Sequence, residues 1–202
     1  MSEAITPSEA VKTRDKILLV AKALVAQKGA KSVTVSEVAA QLNITHQAAY
    51  KHFKSKQQLM ESLALLWLDD ILEPVFHFSG TSIKAWLWTL ACCKKQAYER
   101  EPEMFTLYTH YISTNAELET LHNQHLANAL ARLTGENRLE TYDALIRAFL
   151  FFQHPAFANQ WDDSFQAKFE ACWALVESQP FSTSAKKGRK NQTENRIEKV
   201  HK

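Results

Sequence analysis

The sequence predicts an all-α protein, and three observations carry that prediction. Apolar residues recur at helical spacing along most of the chain, no stretch alternates with the period of a half-buried strand, and the 202 residues hold only four Gly and five Pro. A hydrophobic share of 46% is ample for a core and excludes collagen-like, low-complexity and fully disordered classes. No apolar run approaches the ~20 residues needed to cross a bilayer. Asp69 and Asp70 break the run from Leu63 to Leu72, and the run from Ile83 to Cys93 is short and carries Lys84. No membrane partner is expected. The residues through Thr13 lack the continuous apolar core of a secretory signal, and three cysteines make no disulfide framework, so the expected location is cytoplasmic.

Ile17, Leu18, Ala21, Leu24 and Val25 place a first helix over about Thr13 to Lys28, stopped by Gly29. Thr34 and Glu37 have capping-box spacing, and Val35, Val38, Ala39 and Leu42 trace one face of a short second helix. Asn43 tolerates the positive φ of a tight turn, and the Thr45 hydroxyl can cap a third helix reaching Phe53. Ser55 and Gln58 repeat the capping-box spacing ahead of a longer helix lined by Leu59, Leu63, Leu66 and Trp67, ending near Pro74.

Five further helices follow. Ile83, Trp86, Leu87, Leu90 and Ala97 mark one that ends before Pro102, and Met104, Phe105, Tyr108 and Tyr111 mark a short one. Leu118 to Leu133 forms the clearest stripe, interrupted by His122 and His125 and stopping near Gly135. Leu139 to Phe152 reads as an eighth helix ended by Pro155, and Phe165 to Val176 as a ninth ended by Pro180. Beyond Phe181 there are too few apolar side chains to offset the entropy of ordering, so a flexible basic tail is expected. The expected organisation is a helical head over 10–57, a helical body over 58–180 and the tail over 181–202.

The formal charge of +2 conceals an asymmetry. Residues 1–60 hold nine Lys/Arg against four Asp/Glu, residues 61–180 eight against sixteen, and residues 181–202 seven against two. A basic head on an acidic body points the head toward a polyanion. The second and third helices, joined by Leu42-Asn43-Ile44-Thr45, have the lengths and turn of a helix-turn-helix. Packing consumes their apolar residues and leaves Thr45, His46, Gln47, Tyr50 and Lys51 outward. Gln can pair with adenine, His and Thr reach base edges, and Tyr, Lys and a helix amino end bind phosphate.

The stretch TVSEVAAQLNITHQAAYKHFKSKQQL resembles the amino-terminal domain of the tetracycline-repressor (TetR) family of bacterial regulators, with YKHFKSK and its following leucine the most specific part. The resemblance spans about residues 13–63 and implies a small DNA-binding head on an all-helical body. Carried over by position, it implies that Tyr50 and Lys56 contact phosphates with help from Thr34 and Lys51. It also implies that Val35, Ser36, His46 and Gln47 approach the bases, Thr45 opens helix three and His52 lies near the DNA backbone. Three positions depart from the family pattern: Asn43 stands for the turn glycine, Gln47 for a glycine or proline, and Ala49 for a branched residue before the tyrosine. Gln47 makes the operator unpredictable by analogy.

In the body, Leu145, Ile146, Ala148, Phe149, Leu150, Phe151 and Phe152 would be apolar almost all round a continuous helix, and a partner subunit is the economical cover for the extra face. The resemblance likewise implies a homodimer through the last two long helices, on a palindromic double-stranded operator. Tyr142, Leu145, Phe149, Leu150, Phe152, Phe169 and Trp173 are the expected interface. The resemblance also implies an effector pocket; Trp67, Trp86, Phe105, Tyr108, Tyr111, His122 and His125 are its candidate walls, suited to a small apolar or aromatic molecule, although for any one of them ordinary core packing is the commoner role. No metal site is expected at the two histidines. Cys92 and Cys93 could sense oxidants, but adjacent helical residues point about 100° apart and a bond between them would be strained. No cofactor or catalytic set is expected, since phosphate-cradling Gly loops, G-x-S-x-G and HExxH are all missing. The leading expectation is a ligand-released repressor. A DNA-bound architectural or partner-recruiting protein on the same fold, with no small-molecule ligand, is the alternative.

Overall fold

The computed structural model describes residues 7–177, with side chains from Val11 onward. Among the described residues every regular element is helical. The first helix, α1 (Pro7–Lys28), starts a turn and a half before the expected Thr13 and stops at Gly29, whose φ of 76° suits a residue without Cβ. A 3-10 turn, Ala30–Ser32, leads to α2 (Val35–Gln41) and α3 (His46–His52). Then α4 (Lys56–Ile71) crosses the expected boundary at residue 57 without a break. The head and body therefore share a helix rather than a linker.

The four-residue α5 (Glu73–Phe76) carries Pro74 in its first turn, and α6 (Ile83–Arg100) starts on a Ser82 cap and stops before Pro102 as expected. Next come α7 (Pro102–Tyr108), a π-helical turn over Thr109–Ser113, and α8 (Ala116–Thr134), capped by Asn115 and closed by Gly135 in the left-handed conformation. The last two α-helices are α9 (Leu139–Ala148) and α10 (Phe165–Glu177), separated by 3-10 turns at Leu150–Phe152 and Pro155–Gln160.

One apolar core runs from Ile17 in the head to Phe169 in the body. Helix α7 packs against α1, α4 and α6, so the body reaches directly onto the head. At the far end Phe149, Phe152, Phe165 and Phe169 interlock with ring centroids 5.2–5.9 Å apart.

This end corrects the expected eighth helix. The α-helix stops at Ala148, and the chain turns so that Gln153 Nε2 donates to the Ile146 carbonyl at 2.7 Å and Trp161 Nε1 to the Phe151 carbonyl at 2.7 Å. Those bonds satisfy carbonyls that the broken helix leaves open. Apolar side chains that would ring a continuous helix fold into the chain's own core instead. Tyr142, Leu145, Phe149, Phe152 and Phe169 are all buried within the protomer, so they offer a partner no surface. Leu150 and Trp173 are half-buried, and on α10 Leu175 is 77% exposed. The expected basic tail and the limit at residue 180 lie outside the described residues.

Candidate nucleic-acid interface

The head positions α3 through local chemistry. Thr34 Oγ1 accepts the Glu37 amide at 3.2 Å and Thr45 Oγ1 the Ala48 amide at 3.1 Å, fixing the starts of α2 and α3. Asn43 takes φ of 52° in the turn, and the Ile44 amide donates back to the Ala39 carbonyl at 3.0 Å. Val38, Ala39, Ala49 and Phe53 are buried, with α2 and α3 packed on each other and on α1. The capping-box spacings are only half used as such. The Glu37 carboxylate pairs with Lys28 Nζ at 2.5 Å rather than with the Thr34 amide, and Gln58 Oε1 accepts from the Lys54 amide at 2.6 Å.

What remains outward is polar. Thr34, Ser36, Thr45, His46, Gln47 and Lys51 are exposed, and Tyr50 and His52 are half-buried. His46 and Tyr50, one helical turn apart, stack at 4.4 Å between ring centroids, so one face of α3 presents an imidazole beside a phenol. Gln47 and Lys51 occupy the adjoining ridge. With the α3 amino end, this surface offers hydrogen-bond donors, acceptors and a positive charge together.

Two expected contacts change. Val35 is buried, only 2% exposed in the first turn of α2, where it packs inward with Val38 and Ala39. It belongs to the core and cannot approach bases. Lys56 Nζ donates to the Lys31 carbonyl at 2.6 Å, tying the start of α4 to the turn after α1 and engaging the ammonium within the protein.

Of the candidate pocket walls, Trp67, Phe105, Tyr108 and His122 come together, with ring centroids 5.9–6.4 Å apart. Trp86 is buried elsewhere and donates its indole N–H to the Val75 carbonyl at 3.0 Å, Tyr111 meets His110 edge to face, and His125 is exposed. Burial and the nearby charges of Lys94 and His125 push His122 well below 6.5, so it is neutral at pH 7. Burial raises the thiols of Cys92 and Cys93, away from the reactive thiolate form.

Lys94 is missing from the expected walls although it is buried beside one of them, Tyr108. Its Nζ sits 4.1 Å from the Tyr108 ring centroid. The signal was present: Lys94 falls in phase with Leu87, Leu90 and Ala97 on the core-facing stripe of α6. A cleft of about 500 Å³ lies alongside, lined by Lys31 of the head and by Tyr98, Phe105, His110 and Ala158 among others.

Residues 17–63 match the family model described as bacterial regulatory proteins, tetR family. The HTH-type transcriptional repressor KstR2 of Mycolicibacterium smegmatis is 38% identical over 64 residues, 32% of this chain and 31% of that protein. A probable acrEF/envCD operon repressor of Escherichia coli is 38% identical over 65 residues, 32% of this chain and 28% of that protein. The chain thus aligns with under a third of the length of these curated relatives. Among solved structures, a TetR transcriptional regulator from Rhodococcus sp. RHA1 superposes over 86% of this chain and 100% of its own, with TM-score 0.61 and 19% identity. NalD, the secondary repressor of the MexAB-OprM multidrug efflux pump in Pseudomonas aeruginosa, superposes over 83% of this chain and 96% of its own, with TM-score 0.50 and 16% identity. At such identities these two establish the fold, which extends through the helical body. Residues 17–63 thus match the amino-terminal domain of the tetR family of bacterial regulatory proteins, and the fold around them is that of a TetR transcriptional regulator.

Proposed function

We propose that the chain is a sequence-specific DNA-binding transcriptional repressor. It acts as a homodimer on a palindromic operator and is released by a small molecule held in the body. The observation that carries the DNA-binding reading is the outward face of α3, where Thr45, His46, Gln47 and Lys51 are exposed and Tyr50 stacks on His46. In the groove, His46 and Gln47 meet base edges while Tyr50, Lys51 and the amino end of α3 meet phosphates. Names of the relatives, a repressor and a probable repressor, support the direction of regulation. For the dimer, the supporting feature is α10, where Leu175 is exposed beside half-buried Trp173 and Val176. Two-fold pairing there would set two α3 helices at a fixed separation.

A fragment from the promoter region flanking the protein's own gene, searched first for a palindrome, is the test substrate. Tyr50→Phe and Lys51→Ala should weaken binding to all sequences, Lys51→Ala with a reduced salt slope. His46→Ala and Gln47→Ala should also relax base preference, each at a cost of about 1–3 kcal/mol. Unchanged binding in all four would overturn the assignment of α3.

A further inference from the structure

The body interior holds two polar groups that the fold leaves without partners. Lys94 has no exposed surface and its Nζ has no hydrogen-bond acceptor; Trp67 is equally buried and its Nε1 donates to nothing. The two other buried indoles are satisfied, Trp86 by the Val75 carbonyl and Trp161 by that of Phe151. Both orphans border one ring. Lys94 Nζ lies 4.1 Å from the Tyr108 centroid and the Trp67 ring lies 6.2 Å from it. The Tyr108 face offsets part of the ammonium's lost hydration but supplies no lone pair to either N–H.

Such groups are rare because an unpaired buried donor is costly, and a leucine or methionine at position 94 would fill the same stripe without that cost. The amine therefore needs an acceptor from outside the chain. The surroundings define what accompanies it: Trp67, Phe105 and Tyr108 are flat and apolar, and neutral His122 adds one polar edge. A carboxylate on an apolar body matches both halves, since its oxygens can accept from Nζ and Nε1 while the rings cover the rest.

We propose that Lys94 and Trp67 form the recognition pair for an organic acid, with Lys94 Nζ and Trp67 Nε1 donating to its carboxylate and Phe105 and Tyr108 enclosing its apolar part. This rests on the reading that the body binds an effector and assigns that effector's chemical class. Phe105 also lines the neighbouring cleft of about 500 Å³. The pair couples the site to DNA binding through α4, which carries Trp67 and begins at Lys56 in the head.

The test is a thermal-melting series on the full chain with sodium benzoate, indole-3-acetate and decanoate, each beside its own amide. At roughly 100-fold above Kd, a fitting acid should raise Tm by about 5 °C or more. Its amide should not. The shift should vanish in Lys94→Met, which keeps the side-chain volume, and shrink in Trp67→Phe. Equal shifts from acid and amide, or an acid shift that survives in Lys94→Met, overturn the proposal. So does the absence of any acid effect, in which case interior water satisfies the donors. Operator binding by the same preparations is scored separately, so a failure here is distinguishable from a failure of the regulator reading.

Discussion

Lys94→Met makes a quantitative prediction for the ligand-free protein. Burial pulls the Lys94 ammonium from 10.5 down to about 7. Its native value therefore lies below its unfolded value. Between the two, the unfolded chain holds a proton that the folded chain has released, so wild-type stability rises as pH increases from about 7 toward 10.5 and is lowest below that window. At about 1.4 kcal/mol per pH unit, the whole displacement corresponds to roughly 5 kcal/mol. Methionine carries no proton and fills the same space. The variant should exceed wild type by several kcal/mol at about pH 6, and the gap should close by about 1.4 kcal/mol per pH unit toward pH 10. A residual gap of about 1–3 kcal/mol at high pH would report the neutral, unpaired amine. Urea denaturation of both proteins across this pH range measures the gap, and groups common to both cancel in the difference. A gap that does not change with pH, or a variant less stable than wild type at pH 7, would refute the burial of an unpartnered amine.

Three further predictions concern the caps and α10. Thr45→Ala removes the acceptor of the Ala48 amide and should cost about 1 kcal/mol by urea denaturation. Thr45→Asp should restore that stability but not operator affinity, because it sets a negative charge where a phosphate approaches; equal affinity in both would contradict the placement of α3. Gly135→Ala should cost about 1 kcal/mol from its φ of 69° alone, since nothing lies within 4 Å of the added Cβ, and Gly135→Asn should cost less. Leu175→Arg should convert a dimer to a monomer in analytical ultracentrifugation while helical content by circular dichroism is kept, and a dimer that persists would place the interface away from α10.

The head was legible because its signals are local. Thr34, Thr45 and Ser55 each cap within one turn, Asn43 takes the positive φ its residue type tolerates, and α3 presents the polar residues left over from packing. Val35 was misplaced because family position outweighed phase, although it lies in step with Val38 and Ala39. The end of α9 was not legible. Phe149 to Phe152 continue the apolar run, and the carbonyl partners that make a break tolerable come from Gln153 and Trp161, beyond the helix. Lys94 was hidden by its chemistry, a charged residue type on a core-facing stripe.

The sequence alone determined where α1 ends and where α2, α3 and α4 begin, where Pro102 and Gly135 end two more in the body, and the basic character of the first sixty residues. Caps, fixed φ values and helical period act within a turn or two, so they are written into neighbouring residues. Tertiary structure decided that the phenylalanines after Ala148 cover the chain's own core, that Lys56 turns to the Lys31 carbonyl, and that Lys94 meets Tyr108 away from water. Each of those outcomes depends on which distant segment arrives to remove a side chain from solvent, and local spacing carries no record of that arrival.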